Sequence, residues 1–482
     1  MNNNYIYFDQ NLEYPLESPF SPSVEYPEYP FDTKSDKENL VYESIRKLFI
    51  NKGLDSENIG KKSWNPLKVY VRPGNTVLLK PNLVNHFNPT EENHNRGMDC
   101  LITHPSIVRC LFDYVYIALE GKGKIIIADA PIQGCVFNDV INNTGYGKLI
   151  EYVKEKETDE LEISIADLRE VLYEKKGNIT IQSERETVEY PGTIIDLGKE
   201  SYFDEVDDKK GLRVTCYNGH DTVSHHDKNH NIYKISSAVL EADVIISLPK
   251  PKTHRIAGYT AALKNMIGAN ARKEFLPHHH KGTKTECGDE YTESNSGLKK
   301  INSDANDLRN WAIKYGYHKL ERFFNEIARR AGRKLNKVEP ERYTYGMWYG
   351  NDTIWRTILD INHCVIYANR EGKIQEAPQR KILYIGDMVV SGEGEGPLSP
   401  SYKKVGALLF SENPVEFDRI VVKLMGFDWK KIPTISHALE DKKLYDGDGT
   451  IGLNINGENV ENVDDVGYEF RFMPSKGWAS YL

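Results

Sequence analysis

The sequence predicts an α/β fold, and two observations carry this prediction. Apolar, strand-like runs without polar alternation recur at 75–84, 124–131 and 241–250, as expected of parallel strands that are buried on both faces. Amphipathic helical patterns lie between these runs, so that strand, helix and strand follow one another along the chain. We therefore expect a mainly parallel, Rossmann-like sheet with helices on both faces, plus a helical and loop insertion.

The elements suggest five regions. Residues 1–40 are rich in proline, tyrosine and acidic residues, and are expected to form an extended arm on the body or on a partner. Helices are predicted around 38–54, which Gly53 ends, and after the candidate N-cap Thr103. The regions, with their numbers, are the arm (1–40), the first part of the core (41–270), an inserted lid-like helical segment (271–350), the second part of the core (351–440) and a tail (441–482).

The inserted segment is polar and rich in histidine and glycine before it becomes helical, so we expect it to cover the binding site as a lid. The core resumes with the strand-like "KILYIGDMVV" (381–390). The glycine-rich "SGEGEGPLSP" that follows lacks the GxxxxGK[ST] pattern of a phosphate-binding loop. It is expected either to contribute to the site or to be only a mobile acidic turn. A strand, a loop and a closing helix are predicted in "VGALLFSENPVEFDRIVVKLMGFD".

Composition excludes several classes of function. The 482-residue chain has a formal net charge of −9, so no global positive field favours nucleic acid. Six cysteines without a CxxC pair argue against a structural zinc site, an iron–sulfur cluster and a disulfide framework. We see no signal peptide, and no apolar run approaches the roughly 20 residues that span a bilayer. The sequence therefore predicts a soluble, cytoplasmic, bacterial-type protein with no membrane partner.

Polar side chains follow four of the predicted strands, at the point where each strand ends. Ligands of open α/β sheets bind outside the carboxyl ends of the strands, so four such ends favour one shared site, although a single polar strand end is often only a helix cap. In chain order these residues are Lys80, Asn82 and Asn85; Asp129; Lys250, Lys252 and His254; and Asp387, Glu393 and Glu395.

The basic residues of this set predict binding of an anion. Gly258 and Thr260 are expected to open a helix whose free N–H groups attract a phosphate or carboxylate, with lysines adding charge. Lys264 lies one turn beyond Thr260 and is expected on the same helix face, partly desolvated, with Gly268 ending the helix in a left-handed conformation. The alternative is a lysine whose ammonium simply reaches water. The acidic residues predict a divalent metal, Mg²⁺ or Mn²⁺, that bridges the anion.

The histidines allow two interpretations. The run His278–His280 is expected in a surface loop rather than in a three-ligand metal site, and the histidines of 220–230 are expected in a solvated loop or hairpin. His104 stands at a predicted helix start, where the helix dipole would lower its pKa and leave the ring neutral.

Eight motifs resemble, in the same order, those of the domain of unknown function 362 family, from about residue 75 to 435. They are "VLLKPNLV", "THPSIVR", "KIIIADAP", "LPKPKTHRIAGYTAALKNMIG", "HHHKG…GDEY", "WYGNDTIWRTILDIN", "DMVVSGEGEGPLSP" and "ENPVEFD". The resemblance implies a fold and a site but no reaction. Some relatives carry a ferredoxin-like cluster domain with CxxC repeats, which this sequence lacks. Over a short stretch, the Lys80 loop and "THPSIV" are also similar to the lactate racemase family, which binds a nickel-pincer nucleotide through a lysine.

Two functions follow as expectations. The first is an enzyme of unassigned reaction that acts on a small phosphorylated or carboxylated metabolite with a divalent metal; the second is a noncatalytic protein that binds a nucleotide or glycan precursor. A homo-oligomer formed through the arm is also left open. The expected catalytic residues are Lys264, His254 and Lys80; the substrate-binding residues are Asn82, His104, Lys250, Lys252, Thr260, Asn265 and Asn351; and the metal ligands are Asp129, Asp289, Asp352, Asp387, Glu393 and Glu395.

Overall fold

The secondary structure comes from a computed structural model that describes residues 3–90, 97–340, 343–467 and 469–482. The helices, in chain order, are α1 (Leu40–Asn51), α2 (Pro105–Leu119), α3 (Phe137–Asn143), α4 (Tyr146–Lys154), α5 (Gly219–His225), α6 (Ser237–Leu240), α7 (Ala262–Asn265), α8 (Ser296–Lys314), α9 (His318–Val338), α10 (Ile354–Tyr367), α11 (Pro414–Met425) and α12 (Pro433–Glu440).

The strands, in chain order, are β1 (Tyr5–Phe8), β2 (Thr76–Pro81), β3 (Gly123–Asp129), β4 (Leu161–Asp167), β5 (Val171–Lys176), β6 (Ile179–Glu184), β7 (Gly192–Asp196), β8 (Leu212–Arg213), β9 (Ile232–Ser236), β10 (Val244–Leu248), β11 (Lys252–His254), β12 (Gly258–Thr260), β13 (His279–His280), β14 (Lys381–Glu395), β15 (Ser399–Ser411), β16 (Leu453–Ile455) and β17 (Glu458–Val460).

One large sheet organises the molecule, with the strand order β17-β16-β1-β15-β14-β10-β2-β3-β4. The five strands from β14 to β4 are mutually parallel, whereas β15 runs antiparallel to β14. In register, Ser247 of β10 lies between Lys80 of β2 and Tyr384 of β14. The carboxyl ends of β3, β2 and β10 therefore share one edge, which β14 crosses near Asp387 before it continues to Glu395.

Both faces of the parallel strands are buried, because alternate residues enter two different hydrophobic cores. Val244 and Ile246 of β10 pack in the core that also holds side chains of α1, α2 and α4. Ile245, between them, packs in the core formed with α6, α10, α11 and α12. This arrangement explains the continuous apolar runs in the sequence and confirms the predicted α/β fold with a mainly parallel sheet between two helix layers.

The arm and the tail both contribute strands to the large sheet. β1 pairs antiparallel with β15, with Tyr5 opposite Phe410, and parallel with β16, with Tyr5 opposite Asn454. The extended arm therefore lies on the body of its own chain. It then continues past the carboxyl edge of the sheet, where Tyr14 enters the site described below.

Two local predictions are wrong. Residues 391–400 do not form a mobile turn, since β14 continues to Glu395 and pairs with β15 across a short reversal, with Glu395 opposite Ser399. Gly258 and Thr260 do not open a helix, because they belong to β12, which pairs antiparallel with β11. Backbone pairing to a neighbouring strand thus overrides a helical pattern only a few residues long.

The region 271–350 contains a helical hairpin formed by α8 and α9. The Asn302 side chain of α8 donates to the Ala328 carbonyl of α9 over 2.8 Å, and the two helices are joined by residues 315–317 alone. Within the described residues, no helix is long and apolar enough to cross a membrane.

Candidate active site

A buried ion pair joins the ends of β2 and β3. Nζ of Lys80 lies 2.6 Å from Oδ1 of Asp129, and Oδ2 of Asp129 accepts from the Leu83 backbone over 2.8 Å. The side chain of Lys80 is fully buried. Gly268 lies against this pair: a Cβ there would overlap the Asp129 carboxylate and come within 2.7 Å of Lys80 Nζ. Gly268 is therefore required for close approach, and not for the left-handed conformation predicted from the sequence, since its φ lies outside that region.

Two asparagines and a lysine form a network beside this pair. Asn82 donates to Oδ1 of Asn265 over 3.2 Å, and Asn265 donates to the hydroxyl of Ser247 over 3.0 Å. Nζ of Lys252 donates to Oδ1 of Asn82 over 3.2 Å and also to the Leu101 carbonyl. Burial, and then the charge of Lys250, lower the pKa of Lys252 to about 7. The network joins side chains from the end of β2, from β10, from β11 and from α7 at one place.

Lys264 projects from the short helix α7, whose start is held by Asp418 of α11. The Asp418 carboxylate accepts from the Tyr259 hydroxyl over 2.6 Å and from the Ala262 backbone over 2.6 Å, and burial raises its pKa to about 7. Lys264 is half-buried, and it makes no hydrogen bond or ion pair with any residue in the described ranges. Burial lowers its pKa to about 8. It is a cation without a counter-charge.

Two histidines lie within electrostatic reach of Lys264. Nδ1 of His254 accepts from the Ile256 and Ala257 backbones over 3.0 and 3.2 Å, so the neutral ring carries its proton on Nε2. Burial, and then Lys264, lower the pKa of His254 well below its usual value and that of His278 to about 3. Nδ1 of His278 lies 2.6 Å from the Leu276 carbonyl, which leaves a lone pair on its Nε2. Neither Nε2 has a hydrogen-bond partner among the described residues.

A second polar cluster surrounds Asp387, which lies midway along β14 and level with the end of β10. Asp387 accepts from Nζ of Lys250 over 3.0 Å, from the His104 backbone over 2.9 Å and from the hydroxyl of Tyr14. The Tyr14 ring stacks on the His104 ring with centroids 4.0 Å apart. His104, rather than Thr103, caps α2 by accepting from the Ser106 backbone, and burial followed by Lys250 holds its pKa well below the usual value.

The two clusters are neighbours. The Thr103 hydroxyl donates to the Leu248 carbonyl over 2.6 Å and accepts from the Asn82 backbone over 2.9 Å, and the next residue is His104. Predicted residues from all four strand ends thus meet along one edge of the sheet. Thr260 lies there too, opposite Lys252 in the β11–β12 ladder and buried.

Three other predicted residues lie together at the start of α10. Asp289 accepts from the Thr353 hydroxyl over 2.6 Å and from the Asp352 backbone over 2.8 Å, and burial raises its pKa to about 6. Asn351 donates to the His278 carbonyl over 2.9 Å, and Asp352 accepts from the Trp355 indole over 2.9 Å. These contacts hold the His278 segment against α10.

The remaining two acids lie near the far end of β14. Glu393 forms an ion pair with Lys403 over 3.2 Å and accepts from the Met473 backbone. Glu395 forms an ion pair with Arg255 over 2.8 Å and accepts from the Lys476 backbone. Across the described ranges, no three or more His, Cys, Asp or Glu side chains are grouped so that they could hold one metal ion.

The run His278–His280 is not the surface loop that the sequence predicted, whereas residues 226–231 form a short exposed turn closed by an antiparallel bridge between His226 and Asn231. His279 and His280 form β13, which pairs with β8, and both side chains are buried. His225 ends α5, and the ring of His226 is buried with Nε2 2.9 Å from the Phe275 carbonyl. These rings pack or make backbone hydrogen bonds, which their clustering in the sequence does not reveal.

Sequence reasoning missed three polar residues of this edge: Tyr14, Lys273 and His278. Tyr14 comes from the arm, and nothing local distinguishes it from the other tyrosines there. Nζ of Lys273 donates to the Ala130 carbonyl over 2.9 Å, and burial lowers its pKa to about 7.

The family model described as "Domain of unknown function (DUF362)" matches residues 164–423, more than half of the chain. The chain belongs to this family. The DUF362 match begins within β4 and ends within α11, so it includes Lys252, His254, Lys264 and Asp387. Lys80 and Asp129 precede it, on strands that complete the same edge.

One curated protein and one solved structure are similar to parts of this DUF362 chain. A thylakoid-associated protein of Synechocystis sp. is 25% identical over 199 residues, which cover 41% of this chain and 40% of that protein. A crystal structure of a Thermotoga maritima protein shares 11% identity, covers 80% of this chain and 58% of its own, and superposes with a TM-score of 0.28. The chain thus covers less than two thirds of the Synechocystis protein and less than two thirds of the Thermotoga maritima protein.

Proposed function

We propose that this DUF362 protein is an enzyme that acts on a small phosphorylated or carboxylated metabolite at the carboxyl edge of its sheet. The observation that carries the proposal is the uncompensated charge of Lys264. Its half-buried side chain has no counter-ion among the described residues, and it lies within electrostatic reach of His254, whose Nε2–H group lacks a hydrogen-bond partner among the same residues. An anion would supply the counter-charge for one and the acceptor for the other.

Different residues would have different roles. Lys264 and Lys252, with pKa values of about 8 and 7, would bind the anion as cations or act as bases near neutral pH. His254 would donate from Nε2, and His278 would accept from a substrate hydroxyl with its Nε2 lone pair. Lys80 is already paired with Asp129, so we assign it to holding the edge together. Asn82 and Asn265 would orient the substrate.

A divalent metal is the second part of the proposal. Mg²⁺ is commonly held by one or two carboxylates, water and substrate phosphate, and not by a complete protein cage. Asp129 is paired with Lys80 and lies against Gly268, beside the network of Asn82, Asn265 and Lys252. We therefore propose that a metal would bind together with the substrate and take Asp129 as a ligand. Metal analysis of the purified protein, with and without ligand and after chelation, tests this part.

The experiment on the anion site is a thermal-shift screen of the wild-type protein against small phosphates and carboxylates, followed by calorimetry on each hit. Lys264→Met keeps the length of the side chain and removes its charge, so we expect a hit to lose most of its affinity. Lys62→Met, at an exposed lysine, is the matched control and should bind normally. Equal binding by Lys264→Met would contradict the proposal.

The same hits separate the enzyme from the noncatalytic binder of nucleotide or glycan precursors. Each hit is incubated with the protein, with and without Mg²⁺, and analysed by mass spectrometry. Conversion that requires Lys264 supports an enzyme. A ligand that stabilises the protein and is recovered unchanged under all conditions supports the binder.

A further inference from the structure

The α8–α9 hairpin has a charge opposite to that of the chain as a whole. Residues Ser296–Val338 hold eleven lysines and arginines against four aspartates and glutamates, whereas the whole chain has a formal net charge of −9. Two residues of α8, Asp304 and Asp307, are already engaged by Lys281. The hairpin is therefore a basic patch on an acidic protein.

The cations of α9 point outward. The exposed ones are Lys319, Arg322, Arg329, Arg330, Arg333, Lys334 and Lys337. Three arginines share a single acid, Glu326. The other four cations make no ion pair with any residue in the described part of the chain. Their positive charge is free to act on a partner.

Large apolar side chains are exposed beside these cations. Leu320, Phe323 and Val338 of α9 are 41%, 59% and 60% exposed. Leu320 and Phe323 are neighbours on one helix face, and Val338 lies on the same face about five turns further along. Two tyrosines of the connection, Tyr315 and Tyr317, are about half exposed as well. On α8, Ile301 and Leu308 are separated by two turns and are also about half exposed.

We propose that the outer face of the α8–α9 hairpin docks on an anionic phospholipid surface, with α9 lying in the plane of the interface. An amphipathic helix with a basic face and exposed Leu, Phe and Tyr residues has the composition of such interfacial helices. Anionic headgroups attract the unpaired cations, and Leu320 and Phe323 enter the boundary with the acyl chains. This proposal is independent of the anion site.

A nucleic acid is a less well supported partner for this surface. A nucleic acid would use the cations, but it would leave the aliphatic side chains of Leu320, Val338 and Ile301 in water.

The expectation of no membrane partner came from the absence of a bilayer-spanning run. Peripheral docking needs no such run, because only one face of the helix enters the interface.

The experiment is sedimentation of the full chain with vesicles. One set contains phosphatidylcholine only, and the other contains phosphatidylcholine with 30% phosphatidylglycerol, each at low and high salt. We expect binding to the anionic vesicles alone, weakened by salt. Replacing Lys319, Arg322, Lys334 and Lys337 together by Gln keeps helix propensity and should weaken binding about tenfold or more.

Matched variants identify the cause of any loss. Replacing the exposed lysines Lys62, Lys148, Lys199 and Lys228 by Gln removes the same charge elsewhere and should leave vesicle binding unchanged. Leu320→Gln with Phe323→Gln removes the apolar part and should weaken binding while keeping all cations. Circular dichroism and thermal melting establish that each variant is folded.

Three results would overturn the proposal. The first is wild-type protein that does not sediment with anionic vesicles, or that binds neutral vesicles equally well. The second is equal loss in the hairpin and control charge variants. The third is a single-stranded oligonucleotide that binds the hairpin more tightly than the vesicles do, with no effect of the Leu320 and Phe323 changes; this would assign the patch to nucleic acid.

Discussion

The Lys80 ammonium lies 2.6 Å from the Asp129 carboxylate, and both side chains are buried where two parallel strands end. Neither charge can be solvated by bulk water at this position, so each depends on the other. Breaking a buried pair leaves one charge uncompensated, which costs about 3–5 kcal/mol. The pair therefore holds the ends of β2 and β3 together, and a substitution of either residue is expected to destabilise the protein.

We expect Asp129→Asn to lower the free energy of unfolding by about 3–5 kcal/mol, because the charge of Lys80 then stays buried without a partner. Urea unfolding followed by circular dichroism measures the change. The control is Glu160→Gln, which breaks the exposed Lys122–Glu160 pair and should cost about 1 kcal/mol or less. Similar losses of unfolding free energy in the two variants would show that the buried pair contributes no more to stability than the exposed pair.

Gly268→Ala should destabilise the protein by about 1–3 kcal/mol, because the new methyl group overlaps the Asp129 carboxylate and crowds Lys80. Differential scanning calorimetry should show a lower Tm. Gly134→Ala is the matched control, since a Cβ at Gly134 meets nothing within 4 Å and its backbone is not left-handed. A Tm for Gly268→Ala equal to that of the control would contradict the close contact.

The unpaired charge of Lys264 gives a pH-dependent stability. The pKa is about 8 in the folded protein and about 10.4 in an unfolded chain. Between these values the unfolded chain binds more protons at this residue, so the contribution of Lys264 to stability rises with pH. Below pH 8, burial of the charged ammonium destabilises the fold.

We therefore expect Lys264→Met to be more stable than the wild type at pH 7, with a difference that shrinks as the pH approaches 10. Urea midpoints of both proteins at four pH values between 7 and 10 measure it. Lys62→Met controls for the general effect of pH. A difference in urea midpoint between Lys264→Met and the wild type that stays constant across this range would mean that the Lys264 ammonium is well solvated.

Tyr14→Phe removes the hydroxyl that contacts Asp387 and Lys250 but keeps the ring that stacks on His104. The buried carboxylate loses one donor, which should cost about 1–3 kcal/mol. Tyr349→Phe is the control, because the Tyr349 hydroxyl has no hydrogen bond within the described ranges. Equal unfolding free energies for the two variants would indicate that the arm is not anchored through Tyr14.

The sheet and its polar edge could be predicted because they depend on local patterns. Val244 to Leu248 form a continuous apolar run, and Lys250 and Lys252 follow it directly, so strand and site residues are neighbours in the sequence. The short pairing of Thr260 with Lys252 could not be predicted, since the run after Gly258 is equally compatible with a helix. The burial of His279 depends on two residues of β8 far away in the chain.

The contact of Tyr14 with Asp387 was beyond prediction for a similar reason, since 373 positions separate the two residues. No periodicity in the arm marks this tyrosine. Asp418 ends the motif "ENPVEFD". Its contact with the start of α7 depends on how α11 packs, which a single sequence does not reveal.

The place of β1 between β15 and β16 also sets an order of events during synthesis. Residues 5–8 leave the ribosome long before their partners on either side, residues 407–410 and 454–455. The arm must stay undocked while about four hundred residues are translated, and closing so long a loop is slow. Tyr14 consequently cannot contact Asp387 until β14 has emerged, so the polar edge of a nascent chain stays open until then.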